Sequence, residues 1–373
     1  MTWIAVTAGA IVASSSAWAL TSDKRQHSLQ NSDRFSPMQL SQRSDGGRHD
    51  VGVGADADLV QWSRICGGSK PGSPTATTNT TQVGHPDRHQ WRRKPMKLMA
   101  VLCLATYPDA NAGAVAVNAV AVAKQIGAAL HAVAINVDIP DVSNALSTYL
   151  LDLPYKIAEA EATSRKHGKA LLEAVANEAS SGAVILSAQE IAAPLALMGD
   201  VAAEHSRYFD TCLVGWAPAN QTARTLAEAT VFGSGRPTVL LPDSTKVEPF
   251  EHVVIAWDGS RVAARAVADA RAFLERASMV TVVTVTDEKP LPGQGIGERL
   301  ASGLRARGLM AEAVSIQAQD RSVATALQEH ALKIGGKLLV MGGYGHSRVR
   351  DFVLGGATDG VLADLRLPVL LSH

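Results

Sequence analysis

From Met96 to the end of this 373-residue chain, short apolar runs alternate with longer alanine-rich segments, and the order is written twice. In the first pass Leu98–Ala105, Leu130–Val137, Ala183–Ser187, Thr211–Gly215 and Pro237–Leu241 are short, apolar and bounded by turn residues. In the second the same place is taken by His252–Trp257, Met279–Thr286, Met310–Ile316, Lys337–Met341 and Pro368–Ser372. Between them Ala112–Ala128, Tyr155–Ala179, Val262–Ala277, Gly297–Arg307, Ser322–Ile334 and Gly356–Leu365 carry apolar residues at helical spacing. Strand and helix in strict alternation predict right-handed crossovers and a parallel sheet with helices on both faces. The expected organisation is therefore α/β: two tandem open five-stranded units, 96–243 and 252–373, with a linker at 244–251 that overlaps the stretch Pro242-Asp-Ser-Thr-Lys-Val-Glu-Pro249. An insertion at about Asp138–Ser180 adds a long charged helix with a mostly solvated face.

Residues 1–95 lack this periodicity. Ile4–Ala19 is apolar, and Ala17-Trp18-Ala19 resembles a signal-peptidase site, but no Lys or Arg precedes the apolar stretch. Residues 21–95 are rich in Ser, Asp, Gly, Thr, Arg and His, and read as a disordered leader or an over-extended start. The functional chain is expected to begin near Met96, with export the lesser reading.

Composition excludes several classes. Lys plus Arg equals Asp plus Glu at 35 each, so no basic surface calls for nucleic acid. Aromatic residues make up 5% of the chain, too few for a base-stacking platform. Cys66, Cys103 and Cys212 fit neither a disulfide framework nor a zinc site. Cys103 and Cys212 lie in apolar runs as buried hydrophobes. No run of about 18 apolar residues calls for a membrane span.

Chemistry concentrates in Lys337–His373. The apolar run opens into Gly342-Gly-Tyr-Gly345, and Gly355-Gly356 follow just before a helix and the last strand. Glycines between a buried strand and a helix start let backbone N–H groups approach an anion closely. His346, Ser347, Arg348 and Arg350, between the glycine pairs, could add phosphate contacts; a solvated loop is the other reading. Asp258, after the first strand of this half, reads equally as a ligand carboxylate or a turn residue, and Ser260 as the cap of the next helix. Gly293-Gln-Gly295-Ile-Gly297 follows a second strand and lacks dinucleotide-binding spacing, so a loop reading is preferred.

Gly342-x-x-Gly345-x9-Gly355 closely resembles the phosphate-loop signature Gly-x-x-Gly-x9-Gly-Ser/Thr of the universal stress protein family, and Asp258-Gly259-Ser260 resembles its first-strand motif. The resemblance is strong over 252–373, weaker over 96–243 and absent before. It implies a tandem, Rossmann-like stress-response protein of the cytoplasm, with an adenine nucleotide, ATP with Mg2+, in the C-terminal domain. The implied nucleotide site comprises Asp258, Val285, Gly342, Gly345, His346, Gly355 and Gly356. Asp258 would face the adenine or its ribose, and the Val285 backbone would read the adenine edge. The last strands of the two domains, or of two chains, are expected to pair. Gly356 stands where the signature has Ser or Thr. A hydroxyl on a charged phosphate contributes ~1.5–3 kcal/mol, so weaker binding, by roughly tenfold to a hundredfold, is expected.

In the first half, Leu213-Val-Gly215-Trp-Ala-Pro218 keeps one glycine of the pair, and Gly233-Ser-Gly235 precedes a strand instead of a helix. That half is assigned a structural or partner-binding role. No Ser–His–Asp order, metal cluster or carboxylate pair specifies turnover at the glycine rim, so a sensor without catalysis is expected. Two alternatives stay open: a non-binding interaction module in which the glycines are relics, and an enzyme of the related nucleotide α-hydrolase architecture. The latter would carry a Ser-Gly-Gly-x-Asp-Ser loop that this chain lacks.

Overall fold

The computed structural model describes residues 96–140, 153–343 and 356–373. The expectations placed on 1–95 and on Gly345, His346, Ser347, Arg348, Arg350 and Gly355 lie outside the described residues. The first pass forms β1 (Met99–Ala105), α1 (Ala114–Ile126), β2 (Ala129–Val137), α2 (Leu153–Gly182), β3 (Leu186–Ala193), α3 (Met198–Ser206), β4 (Thr211–Trp216), α4 (Gln221–Gly233) and β5 (Thr238–Pro242). The second forms β6 (His252–Ala256), α5 (Arg261–Asp269), α6 (Arg271–Leu274), β7 (Met279–Val285), α7 (Ile296–Ala306), β8 (Ala311–Ile316), α8 (Val323–Lys333), β9 (Leu338–Gly342), α9 (Ala357–Ala363) and β10 (Val369–Ser372).

The described strands make one sheet in the order β3-β2-β1-β4-β5-β10-β9-β6-β7-β8. β5 and β10 pair antiparallel, with Val239 opposite Leu370. The other neighbours are parallel. Each half therefore has a switch point where the chain leaves its first strand to one side and returns on the other. These lie at the carboxyl ends of β1 and β4, and of β6 and β9, where open sheets of this kind bind ligands. Register makes the halves comparable. Gly215 lies opposite Leu241, and Gly342 opposite Ser372. Leu241 and Ser372 each lie two residues beyond the central Val239–Leu370 pair, so the two glycines hold the same place in their halves.

Two apolar layers sandwich the sheet, and each crosses the β5–β10 junction. One joins Leu102, Leu213 and Val239 to Ile255, Val340 and Leu370. The other joins Val101, Val214 and Leu240 to Val254, Leu339 and Leu371. Cys103 and Cys212 belong to the second layer, both fully buried, with sulfurs 4.0 Å apart and Ser206 Oγ beside them. Among the described residues, no helix is long and apolar enough to cross a membrane.

Three differences from the sequence reading have local causes. β3 runs Leu186–Ala193 instead of Ala183–Ser187. It is an edge strand whose Gln189 and Glu190 break the apolar pattern, and Glu190 Oε2 accepts from Asn136 Nδ2 at 2.6 Å. Val262–Ala277 is not one helix: Ala270, at ψ 2, separates α5 from α6. α2 does have a largely solvated face, yet it buries a stripe of Ser164, Gly168, Leu171, Val175 and Ala179 at helical spacing. Ser164 Oγ accepts from Val137 N at 2.9 Å, docking the helix on β2. A Cβ at Gly168 would lie 2.6 Å from Asn136 Oδ1, so only glycine permits this approach.

The segment between the halves is strapped to α1. Asn118 Nδ2 donates to the carbonyls of Pro242 and Thr245, and Asn118 Oδ1 accepts from Val247 N. Gln125 holds Glu248 O and Phe250 N in the same way.

Candidate functional site

The second switch point is built by the ends of β6, β7 and β9. Past β6, Trp257 N donates to Val283 O at 2.8 Å, carrying the chain alongside β7 before it turns. The turn needs Gly259: its φ is +77°, and a Cβ there would meet Pro292 Cγ at 2.7 Å. Asp258 Oδ1 accepts from Ser260 N at 2.9 Å, closing an Asx turn. Ser260 Oγ in turn accepts from Ala263 N at 3.2 Å and caps α5.

The other carboxylate oxygen, Asp258 Oδ2, takes an ion pair from Lys289 Nζ at 2.7 Å. Partial burial raises the carboxyl pKa, but Lys289 and the Ser260 amide and hydroxyl more than offset it, leaving Asp258 below its ordinary 3.8. Asp258 is thus ionised at neutral pH and presents an acceptor rather than a proton. Lys289 is the rim residue that sequence reasoning missed. It sits two positions after Asp287 in the loop following β7, and no spacing rule links it to Asp258. The available signal was only a cation in a loop on the same rim.

Val285 ends β7, half-buried and opposite Ile316. Just beyond it, Asp287 accepts from Ala318 N at 2.8 Å and Gln319 N at 2.9 Å, tying this loop to the one after β8. Gly342 ends β9 and does not have a positive φ. A Cβ there would lie 2.7 Å from Ala263 N and from the carbonyl carbon of Val262. The missing side chain therefore lets the first turn of α5 lie against the end of β9. The next residue, Gly343, donates its N–H to Ser372 O at 2.8 Å. Gly356 is extended, at φ −154°, and precedes α9 with no side-chain cap; a Cβ there would meet nothing within 4 Å.

Asp258, Val285 and Gly342 thus share one rim, at the ends of adjacent strands. The other glycine loop, Gly293–Gly297, serves packing. Gly295, at φ +63°, precedes α7, and a Cβ on Gly297 would lie 3.0 Å from Thr284 Oγ1 of β7. Among the described residues, no group of three or more His, Cys, Asp or Glu side chains could hold a metal ion. What the rim offers is polar recognition: an ionised carboxylate, a lysine ammonium and strand-end backbone groups.

An open, mostly parallel α/β sheet with a polar rim at a strand switch point defines the class of the protein. Residues 249–373 match the model of the Universal stress protein family, and the chain carries a domain of that family there. Among solved structures, a universal stress protein from Archaeoglobus fulgidus is similar at 14% identity, over 73% of this chain and 95% of that one, with a TM-score of 0.54. A universal stress protein family member from Burkholderia pseudomallei is 25% identical over 33% of this chain and 95% of its own, with a TM-score of 0.24. A universal stress protein solved in complex with cAMP is 20% identical over 34% of this chain and 99% of that one, with a TM-score of 0.27. The first likeness shows the fold across both halves. No curated protein matches the chain.

Proposed function

We propose that this chain is a tandem stress-response protein of the cytoplasm whose C-terminal domain, 252–373, binds an adenine nucleotide, ATP, and acts as a sensor without turning it over. The reading is supported most by the meeting of Asp258, Val285 and Gly342 on one rim inside the family-matched segment. In it Asp258 and the Val285 backbone serve the adenosine end. Gly342, Gly345, His346, Gly355 and Gly356 form the phosphate loop. Lys289 neutralises Asp258 on that rim. A Mg2+ carried with the nucleotide would take phosphate oxygens and water as ligands, as that ion usually does.

The second reading, an interaction module whose glycines are relics, is favoured by one observation. The approach of α5 demands a glycine at 342 whatever the ligand. Denaturing the purified protein and identifying any released nucleotide, together with calorimetric titration of ATP, separates the two. Bound nucleotide, with affinity lost in Gly355→Val, supports the sensor. Neither release nor saturable binding would leave the interaction module. Steady hydrolysis abolished by Asp258→Ala would overturn both in favour of an enzyme.

A further inference from the structure

The first half has a cleft of ≈ 220 Å³ at its own switch point, with Asn111, Val115, Gly215 and Leu241 in its lining. Its reach into the second half lies at the other end of its strands. β5 and β10 run antiparallel with Thr238 opposite Leu371, so the start of β5 lies beside the end of β10. α4 leads into β5 and therefore finishes at the rim where β6, β9 and β10 end.

At that rim the chain leaves β9 through Gly343, which is held on both sides. Gly343 N donates to Ser372 O at 2.8 Å. His373 Nδ1 donates to Gly343 O at 3.0 Å, since a carbonyl can only accept. The His373 ring meets the ring of Phe232, in the last turn of α4, edge to face at 5.2 Å and 73°. Val231 packs so closely that a Cβ on Gly343 would lie 3.2 Å from its Cγ1. The groups behind this hold come from the first half.

The two halves differ at this place. Gly343 is one step past Gly342, as Trp216 is one step past Gly215. Trp216 is 2% exposed and lies in an apolar layer with Leu362 and Leu367. The second half has no side chain there, and Val231 of α4 takes up the space.

We infer that the last turn of α4 positions the start of the C-terminal phosphate loop, with Phe232 and His373 as positioning residues, an inference that rests on the nucleotide reading above. The first half is then part of the second half's site, because it fixes, across the β5–β10 junction, the peptide from which the loop departs. Fixing that peptide before the ligand arrives lowers the ordering cost of binding.

The test is calorimetric titration of the full chain with ATP, alongside its melting temperature. Phe232 is 40% exposed, so its truncation is tolerated by the fold. Phe232→Ala should weaken ATP by roughly threefold to tenfold, the range that an edge-to-face ring pair supplies, with the melting temperature held. Phe232→Tyr, which keeps the ring, should restore the parental affinity. His373→Ala should weaken ATP at least as much. The double variant should lose less than the product of the two single losses, because one contact serves both. Parental affinity in Phe232→Ala and His373→Ala would overturn the inference and leave the nucleotide reading standing. Losses that multiply in the double variant, or a loss that Phe232→Tyr shares, would also overturn it. A parent that binds no ATP would overturn the nucleotide reading, and this inference with it.

Discussion

A β-carbon on Gly342 would sit 2.7 Å from the backbone of α5, whereas one on Gly356 would meet nothing within 4 Å. The two positions of one motif therefore respond oppositely to substitution. Gly342→Ala should displace the first turn of α5 and cost about 1–3 kcal/mol, read from urea unfolding midpoints. Gly356→Ser should be accommodated, improve the start of α9 by a few tenths of a kcal/mol, and tighten ATP by roughly tenfold if a phosphate lies there. Asp258 gives a pH prediction. Its folded pKa lies below its ordinary 3.8, so the stability it contributes is present above that value and is lost as pH falls through the folded pKa. Acid unfolding monitored by circular dichroism should thus be shallower below about pH 4 in Asp258→Asn than in the parent. At this scale the sequence was informative where residues interact locally: the Asp258-Gly259-Ser260 turn and the Ser260 cap could be read directly. Lys289, 31 residues from Asp258, could not, because their contact depends on β6 and β7 lying side by side.

Among the elements, α1 does more than cover the sheet. Asn118, 1% exposed, makes three hydrogen bonds to the chain between the halves. Asn118→Ala would leave buried backbone groups unpaired at ~1–3 kcal/mol each. A loss of about 2–4 kcal/mol is expected, along with faster amide exchange at Val247 measured by hydrogen–deuterium exchange. α3 supplies a second case. His205 stacks on His131 of β2 at 5.2 Å, and Phe209 lies on His131 at 5.1 Å. Burial holds both histidines below 6.5, and for His131 the facing His205 adds to it. The unfolded chain therefore takes up protons first, and stability should fall as pH drops below about 6.5. His205→Phe should flatten that dependence in thermal melts between pH 7 and pH 5. Strands buried on both faces were legible as apolar runs. β3 was displaced in the reading because an edge strand with Gln189 and Glu190 shows no continuous run. Neither Asn118 nor the His131–His205 stack carried any sequence signal, since each joins elements far apart in the chain.

For the whole molecule, the repeated strand–helix order was the legible part, and it rests on periodicity that any parallel sheet must show. What it could not reveal is that both apolar layers run unbroken from one half into the other, or that the weaker half keeps a cleft of its own. A chain whose cores are continuous across the β5–β10 junction should unfold as one unit. Differential scanning calorimetry of the full chain is expected to show a single transition, and two resolved transitions would mean that the junction contributes little.

Calorimetric titration of the full chain with ATP decides whether the C-terminal domain is a nucleotide site. One saturable nucleotide site per chain is expected, lost in Gly355→Val and tightened in Gly356→Ser. A flat titration in the parent, unchanged in Gly356→Ser, would contradict it.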